Sequence, residues 1–128
     1  MKLTLKHALA AILLMLSFAA PVAAGPFEDA VAAHGRGDYA TALRLWRPLA
    51  DQGNAHAQFN LGAMYANGQG VPQDYVRAHM WFNLSAAQGN QGAAKNRDIA
   101  ARRMTPAQIA EAQKLASEWK PTKQPPPH

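Results

Sequence analysis

The sequence predicts an all-α protein, a short right-handed α-solenoid of about three antiparallel helix pairs. Residues 38–57 match residues 74–93 at eight of twenty positions after a shift of 36 residues. Apolar residues recur at three- and four-residue steps, which is typical of amphipathic helices. Glycines separate these segments at regular intervals. A self-match at such a period indicates stacked repeats, in which neighbouring hairpins bury each other's apolar faces.

Start and stop signals define the first two helices. A helix begins at Pro26, which suits the first helical position, and ends at the glycines of residues 35–37. Asp38 is suited to cap a second helix, because its carboxylate can accept hydrogen bonds from backbone N–H groups. That helix contains Pro48, where we expect a bend, and stops at Gly53 in the left-handed conformation.

The next two helices form the central hairpin of the prediction. Asn54 caps the third helix, the glycine turn at residues 68–70 ends it, and Asp74 caps the fourth. Small residues on their inner faces let the helices approach, and aromatic residues fill the gaps beside them. These inner faces contain Ala57, Leu61, Met64, Tyr65, Tyr75, Ala78, Trp81, Phe82, Ser85 and Ala86.

Two more helices and a proline-rich tail complete the chain. Asn90 caps a fifth helix that is expected to end at about Arg103, and Thr105 caps a sixth helix that ends near Trp119. The apolar face of the sixth helix contains Ile109, Ala112, Leu115, Ala116 and Trp119. We therefore predict a folded domain at residues 25–120 and a disordered or polyproline-like tail at residues 121–128.

Residues 1–24 have the layout of a secretory signal peptide. Lys2 and Lys6 precede an apolar run at residues 8–20, and small residues follow up to Ala24, after which we predict cleavage. As a helix this run would span only about 20 Å of a roughly 30 Å hydrocarbon core, so cleavage is favoured over a retained anchor. The sequence thus predicts an exported protein, periplasmic or secreted, without stable membrane insertion after cleavage.

Charge and cysteine content narrow the classes of partner. The 128-residue chain has a formal net charge of +5 and no cysteine. Its only basic cluster, Arg97, Arg102 and Arg103, has no interleaved aromatic residue, whereas nucleic-acid binding usually needs a concentrated basic face. We therefore predict no nucleic-acid partner and a fold held together by core packing without disulfides.

The central hairpin resembles the Sel1-like repeat, a relative of the tetratricopeptide repeat. The resemblance is dense over residues 57–90, partial over residues 38–58, and only a trace from Ala93 onward. It is carried by Ala57-Gln58-Phe59-Asn60-Leu61-Gly62-Ala63-Met64-Tyr65-Ala66-Asn67-Gly68-Gln69-Gly70-Val71-Pro72-Gln73-Asp74-Tyr75, and by Ala78, Trp81, Ala86, Ala87, Gln88, Gly89 and Asn90. Residues 104–119 resemble the helix that often closes bacterial members.

The resemblance implies helix–loop–helix units stacked into a curved solenoid that serves mainly as a scaffold for protein–protein contacts. It also implies that some exported members recognise cell-wall components, and that a cysteine-rich branch binds β-lactams. That branch carries a disulfide in each repeat, whereas this chain has no cysteine.

No residue pattern indicates catalysis, a cofactor or a metal. His34, His56 and His79 do not have metal-site spacing, so we expect surface or helix-rim histidines. Ser85 and Ser117 lie inside predicted helices without the glycine-flanked turn that exposes a nucleophilic serine, so a packing role is expected for Ser85. We therefore predict a protein that is not an enzyme, with no catalytic, cofactor-binding or metal-binding residues.

A row of polar residues lies opposite the predicted apolar faces. His56, Asn60 and Asn67 share one side of the third helix, and Asn96 and Arg103 occupy the positions of the two asparagines 36 residues later. Because the first helices of stacked hairpins line the concave surface, these side chains are candidates for binding an extended peptide backbone. A merely solvated helix face is the alternative interpretation of the same pattern.

Three functional hypotheses are consistent with these features. The first is a non-catalytic adaptor of the bacterial cell envelope that binds an unidentified protein partner through its concave face. The alternative is a protein that binds or hydrolyses cell-wall fragments or β-lactams. The third is self-association, because about three hairpins are few for a repeat array and both ends are exposed.

Overall fold

The computed structural model describes residues 25–123, and within them the chain forms six α-helices and no strand. The helices are α1 (Pro26–Gly35), α2 (Tyr39–Asp51), α3 (Ala55–Asn67), α4 (Tyr75–Ala87), α5 (Gln91–Ala101) and α6 (Pro106–Glu118). The all-α prediction is therefore confirmed. The predicted signal segment and residues 124–128 of the predicted tail lie outside the described residues. Over residues 25–123, every helix is too short or too polar to cross a bilayer.

The capping residues predicted from the sequence act as caps in the structure. Each side-chain oxygen accepts a hydrogen bond from the backbone N–H three residues later, which satisfies a donor that the first helical turn leaves unpaired. The helix caps are Asp38, Asn54, Asp74, Asn90 and Thr105. Thr105 forms a full capping box with Gln108, whose side chain accepts from the Thr105 N–H at 2.9 Å.

The glycine turn after α3 allows α2 and the central hairpin to approach closely. Gly70 has φ +74, and a Cβ atom there would lie 3.0 Å from the carbonyl oxygen of Tyr39. Both the left-handed backbone and the contact disfavour a larger residue. The fifth helix ends at Ala101, slightly earlier than predicted, and Trp119 caps the end of α6 instead of belonging to it.

The helices stack so that α4 lies at the centre of the array. Helix α4 contacts α3, α5 and α6, while α2 packs against both α1 and α3. Helix α6 makes its main contact with α4 and not with α5, its partner in sequence order. The buried hydrophobic core contains Ala30, Ala33, Ala42, Trp46, Ala50, Ala57, Leu61, Met64, Tyr65, Ala78, Trp81, Phe82 and Ala93.

Polar side chains join the turn between α2 and α3 to the turn between α4 and α5. Gln58 is fully buried, and its Nε2 donates to the carbonyl oxygen of Ala50 at 3.1 Å. Gln88 Nε2 in turn donates to Gln58 Oε1 and to the Gly53 carbonyl oxygen, both at 2.9 Å. Because buried polar groups are expensive to leave unpaired, these bonds fix the relative position of the two turns.

The chain beyond α6 returns to the end of α2. The Trp119 ring packs edge-on against Trp81, with ring centroids 6.4 Å apart. The Thr122 backbone N–H then donates to the carbonyl oxygen of Asp51 at 2.8 Å. Contact with the first half of the molecule thus continues past residue 120, where the predicted domain ends.

The apolar face predicted for α6 is only partly covered. Ala112 is buried, but Leu115 remains 38% exposed. Helix α6 has its main contacts with α4 alone, as α1 has with α2 alone, so part of this apolar face stays exposed to solvent.

Candidate functional site

Helices α1, α3 and α5 form a surface that we call the first-helix face. One polar-edged depression on this face, the α3–α5 groove, has a volume of about 280 Å³. The groove is lined by Ala63, Ala66, Asn67, Tyr75, Phe82, Asn96, Ile99, Ala100 and Arg103. Phe82 reaches it from α4, because the small residues of α3 and α5 leave a gap above that ring.

Three of the five predicted site residues meet in the α3–α5 groove. Asn67 contributes from the end of α3, and Asn96 and Arg103 contribute from α5 and the turn after it. Among residues 25–123 none of these three side chains has a hydrogen-bond partner. Two carboxamides and one guanidinium are therefore available at the edge of an apolar floor.

The neighbouring Arg97 is occupied within the fold. Its Nη1 donates to Asn83 Oδ1 at 3.1 Å, and its Nε lies 3.3 Å from Asp98 Oδ1. Arg103 makes no ion pair within the described part of the chain. Within the basic cluster noted in the sequence, Arg97 is thus held inside the fold and Arg103 borders the groove.

The fourth predicted residue, Asn60, lies in a separate depression, the α1–α3 groove. This groove has a volume of about 340 Å³ and is lined by Val31, His34, Trp46, Phe59, Asn60 and Ala63. Val31 is 49% exposed, whereas Trp46 is 3% exposed and forms part of the core. Ala63 belongs to both grooves, so they lie on either side of α3.

The fifth predicted residue, His56, lies in a third cavity at the interhelical turns. That cavity is lined by Ala55, His56, Gln88, Gly89 and Asn90. The row of residues seen in the sequence is therefore distributed over three depressions instead of forming one continuous ladder. Because a helix advances about 1.5 Å per residue, His56, Asn60 and Asn67 lie at different heights along α3. Each therefore borders a different depression.

One histidine is not where the sequence placed it. The expectation of surface or helix-rim histidines is wrong for His79, which is only 4% exposed. Because α4 has three helical neighbours, little of its circumference faces water. Burial lowers the pKa of His79 and Arg97 lowers it further, while Asp98 acts in the opposite direction. The Nδ1 atom has no hydrogen-bond partner in residues 25–123.

The packing role expected for Ser85 is confirmed. Its side chain is fully buried, and Oγ donates to the carbonyl oxygen of Ala55 at 2.7 Å. A hydroxyl held in this way ties α4 to the start of α3 and is not accessible to a substrate. In the described part of the chain, no three His, Cys, Asp or Glu side chains lie close enough to hold a metal ion.

The apolar part of the site was missed in the sequence. Ile99 is 55% exposed beside Asn96 in the α3–α5 groove. Val31 is the exposed apolar residue of the α1–α3 groove. The available signal was an isoleucine on the polar side of α5, where the repeat offset places Ala63 in α3. The contribution of Phe82 has no such signal, since its spacing correctly indicates the core.

The stacked helices and paired grooves define an α-solenoid repeat protein. The Sel1 repeat family matches residues 33–54 and 55–90, which include α2, α3 and α4. The chain therefore contains two Sel1 repeats, as the sequence resemblance predicts. Folds built from Sel1 repeats generally serve in protein–protein interaction and are typically non-catalytic. Helices α5 and α6 lie outside both matched ranges.

A solved structure supports the same fold. The crystal structure of c5321, a protective antigen of uropathogenic Escherichia coli strains with an SLR fold, is similar with a TM-score of 0.69 and 32% identity. The match covers 73% of this chain and 21% of the antigen chain. The chain thus spans about a fifth of that antigen's length. No curated protein matches the sequence.

Proposed function

We propose that the protein is a non-catalytic module that binds a protein partner through the α3–α5 groove. The observation that supports this most strongly is the exposed Ile99 side chain beside polar groups that have no partner within residues 25–123. Exposed apolar surface bordered by polar residues is typical of protein-binding sites. An extended segment of the partner places apolar side chains against Ile99, while Asn67 and Asn96 hydrogen-bond its main chain.

Charge adds a requirement on the partner. Arg103 borders the groove without an ion pair in the described residues, and Arg102 precedes it in the same turn. A carboxylate on the bound segment would gain a charge-assisted hydrogen bond there. We therefore assign the contact to Asn67, Asn96 and Arg103, and not to His56 or Asn60, which line other cavities.

Site-specific photocrosslinking in envelope extracts tests this assignment. A photoreactive residue replaces Ile99 in one variant and Leu115 in another, since both are exposed large hydrophobic side chains on different helices. We expect a discrete protein adduct from position 99 only. Equal adducts from both positions, or none from position 99, would contradict the assignment.

A paired substitution then tests the polar edge. Asn96→Ala with Arg103→Ala removes one amide and one cation from the groove, and Gln113→Ala with Lys114→Ala removes the same groups from the exposed side of α6. We expect the first pair to abolish the adduct and the second to preserve it. Loss of the adduct in both pairs would indicate a nonspecific effect of charge.

We further propose that the protein does not hydrolyse cell-wall substrates. The buried, hydrogen-bonded Ser85 supports this, because its hydroxyl is held by a backbone carbonyl. The purified protein is expected to show no turnover of β-lactams or peptidoglycan. Turnover that disappears in Ser85→Ala while the helical fold is retained would overturn the proposal.

We also propose that the protein acts after export, in the periplasm or outside the cell. The basic start, apolar run and small residues of residues 1–24 support this. Mass spectrometry of the protein recovered from the periplasm should give a chain beginning at Gly25. Ala24→Arg should leave the uncleaved precursor, and an unchanged mature mass would contradict the cleavage site.

A further inference from the structure

Two arginines from different helices meet at the hydroxyl group of one tyrosine. Tyr65 of α3 is only 3% exposed. Its hydroxyl oxygen accepts from Arg47 Nη1 of α2 at 3.3 Å and from Arg77 Nη1 of α4 at 3.4 Å. The Arg77 guanidinium also lies 5.7 Å from the centre of the Tyr65 ring. These three side chains, which we call the Arg47–Tyr65–Arg77 cluster, therefore join three helices around one oxygen atom.

The cluster carries more positive than negative charge. Both Nη1 atoms contact the same oxygen, so they are less than about 7 Å apart, and like charges at that separation repel each other. Asp74 offsets one of them, with Oδ2 3.6 Å from Arg77 Nε. Arg47 forms no ion pair in residues 25–123, although Asp51 follows it by one helical turn. The fold thus holds an unbalanced positive charge beside Tyr65.

The cluster also has hydrogen-bond donors to spare. A guanidinium has five N–H donors, and Arg47 uses one of them within the described chain. The Tyr65 hydroxyl accepts both arginines, and its own hydrogen has no acceptor among residues 25–123. Charged donors usually lie about 2.7–2.9 Å from a strong acceptor, so both arginine bonds are long. The two exposed guanidinium groups can therefore turn toward a better acceptor.

This arrangement occurs once and lies outside the grooves of the first-helix face. At the repeat offset of 36 residues, the arginine of α2 is replaced by Asn83 and the tyrosine by Ala101. Asn83 instead accepts from Arg97, whose charge is offset by Asp98. No residue of the cluster lines the α3–α5 groove, the α1–α3 groove or the cavity at the turns. The cluster is thus neither required by the repeat nor part of the proposed protein-binding site.

We propose that the Arg47–Tyr65–Arg77 cluster binds a phosphate group. The planar fork of a guanidinium matches two phosphate oxygens, and a tetrahedral anion can accept from two guanidiniums and a phenol at the same time. A carboxylate has two oxygens in one plane and cannot serve all three donors equally. A phosphate monoester carries a charge of about −1.5 to −2 at neutral pH, which suits two arginines. The phosphate group belongs either to a soluble phosphate or to a lipid headgroup.

NMR titration of the protein with inorganic phosphate at constant ionic strength tests the proposal. The Nε–H signals of Arg47 and Arg77 should shift and saturate, while the Arg97 signal stays in place. Acetate, which supplies a carboxylate of lower charge, should bind at least fivefold more weakly. Shifts that do not saturate, or equal affinity for acetate and phosphate, would overturn the proposal.

Substitutions then locate the site. Arg47→Gln and Arg77→Gln should each weaken phosphate binding about tenfold or more, because each removes a charge-assisted hydrogen bond. Tyr65→Phe keeps the ring in the core and removes the O–H donor, so a several-fold loss is expected. Arg44→Gln removes an equal charge from α2 without a hydrogen bond to the cluster and should change the affinity less than threefold. Equal losses in Arg44→Gln and Arg47→Gln would overturn the site, and circular dichroism checks that each variant keeps its helices.

Two further measurements distinguish the sources of the phosphate group. Sedimentation with phosphatidylcholine vesicles, with and without phosphatidic acid, tests a lipid headgroup, and titration with glycerol phosphate tests a soluble ester. Cosedimentation that requires both phosphatidic acid and Arg47 would assign the lipid, whereas binding of the soluble ester alone would assign a soluble ligand. Failure of both would overturn the proposal. Crosslinking from Ile99 concerns a different surface, so either proposal can fail alone.

Discussion

The second hairpin, α3 with α4, and the terminal helices, α5 with α6, begin from the same kind of capping signal but have different interiors. Helix α3 buries Leu61 and Met64 completely, and Phe82 of α4 is 2% exposed. The buried residues of the terminal helices are all alanines, namely Ala93, Ala100 and Ala112. Of their larger apolar side chains, Ile99 and Leu115 are exposed to solvent and Ile109 is half-buried.

The difference shows that the same repeat pattern can provide a buried core in one pair of helices and an exposed surface in another. Burying a leucine or phenylalanine side chain contributes roughly 1.5–3 kcal/mol, whereas a buried methyl group contributes about 0.8 kcal/mol. The central hairpin therefore contributes more to stability than the terminal helices do. The terminal helices contribute less, which leaves α5 free to carry exposed apolar and polar groups without loss of the fold.

The largest expected effect contrasts Leu61 with Ile99. Leu61→Asn removes buried apolar surface and leaves an amide without partners, so it should lower the free energy of unfolding by about 2–4 kcal/mol. Ile99→Asn, at a 55% exposed position, should change it by less than about 0.5 kcal/mol. Urea denaturation followed by circular dichroism measures both. Similar losses for the two variants would refute the contrast between the hairpins.

A pair of glycine substitutions should differ in sign. A Cβ atom at Gly62 would lie 2.8 Å from the Phe82 ring, so Gly62→Ala should force α3 and α4 apart and destabilise the fold by about 1–3 kcal/mol. At Gly92 in α5 a Cβ atom would lie 3.4 Å from Asn90 Oδ1 and 3.5 Å from the Phe59 ring, which are ordinary contacts. Gly92→Ala should therefore leave stability unchanged or raise it by up to about 1 kcal/mol. Thermal denaturation of the two variants decides between these signs.

A smaller effect is expected from the loss of a hydroxyl group. Ser85→Ala removes the buried hydrogen bond to Ala55 and should lower the free energy of unfolding by about 1–2 kcal/mol. Ser117→Ala removes a hydrogen bond to the Lys114 carbonyl oxygen on the exposed side of α6 and should have almost no effect. Chemical denaturation of both variants provides the comparison. A neutral Ser85→Ala would mean that the bond does not stabilise the hairpin.

The smallest effect concerns pH and His79. Burial lowers the pKa of His79 from its usual 6.5, so the folded state binds this proton less readily than the unfolded chain. Stability is therefore full above about pH 6.5 and falls as the pH drops below that value, where the unfolded chain takes up the proton first. His79→Gln should flatten the decline between pH 7 and pH 5 in a series of urea titrations. An equal decline in both proteins would exclude this histidine as its source.

Most of the fold could be predicted from local signals. The caps at Asp38, Asn54, Asp74, Asn90 and Thr105 depend on one side chain and the adjacent backbone, and the sequence shows both. The core positions of α3 and α4 follow from periodicity, because both helices have neighbours on more than one side. Helix α6 lacks such neighbours, so its regular apolar spacing indicated a packed face that the structure only partly provides.

The candidate site could be predicted only in part. The offset between Asn60 and Asn96 placed both on the first-helix face, which follows from the repeat period alone. Their separation into two grooves depends on which residues of α1, α4 and α5 approach α3, and that is a tertiary property. The burial of His79 was missed for the same reason, since its covering helix surfaces are distant in sequence.

The hydrogen bond from Thr122 to Asp51 changes how the ends of this molecule are expected to open. In a simple solenoid each repeat contacts only its neighbours, so a terminal helix can fray while the rest of the stack remains folded. Here the chain after α6 is hydrogen-bonded to the end of α2, so the last part of the array also contacts the first hairpin. Opening of α6 must release the α2–α3 turn at the same time. Amides near both places should therefore exchange their hydrogens as one unit.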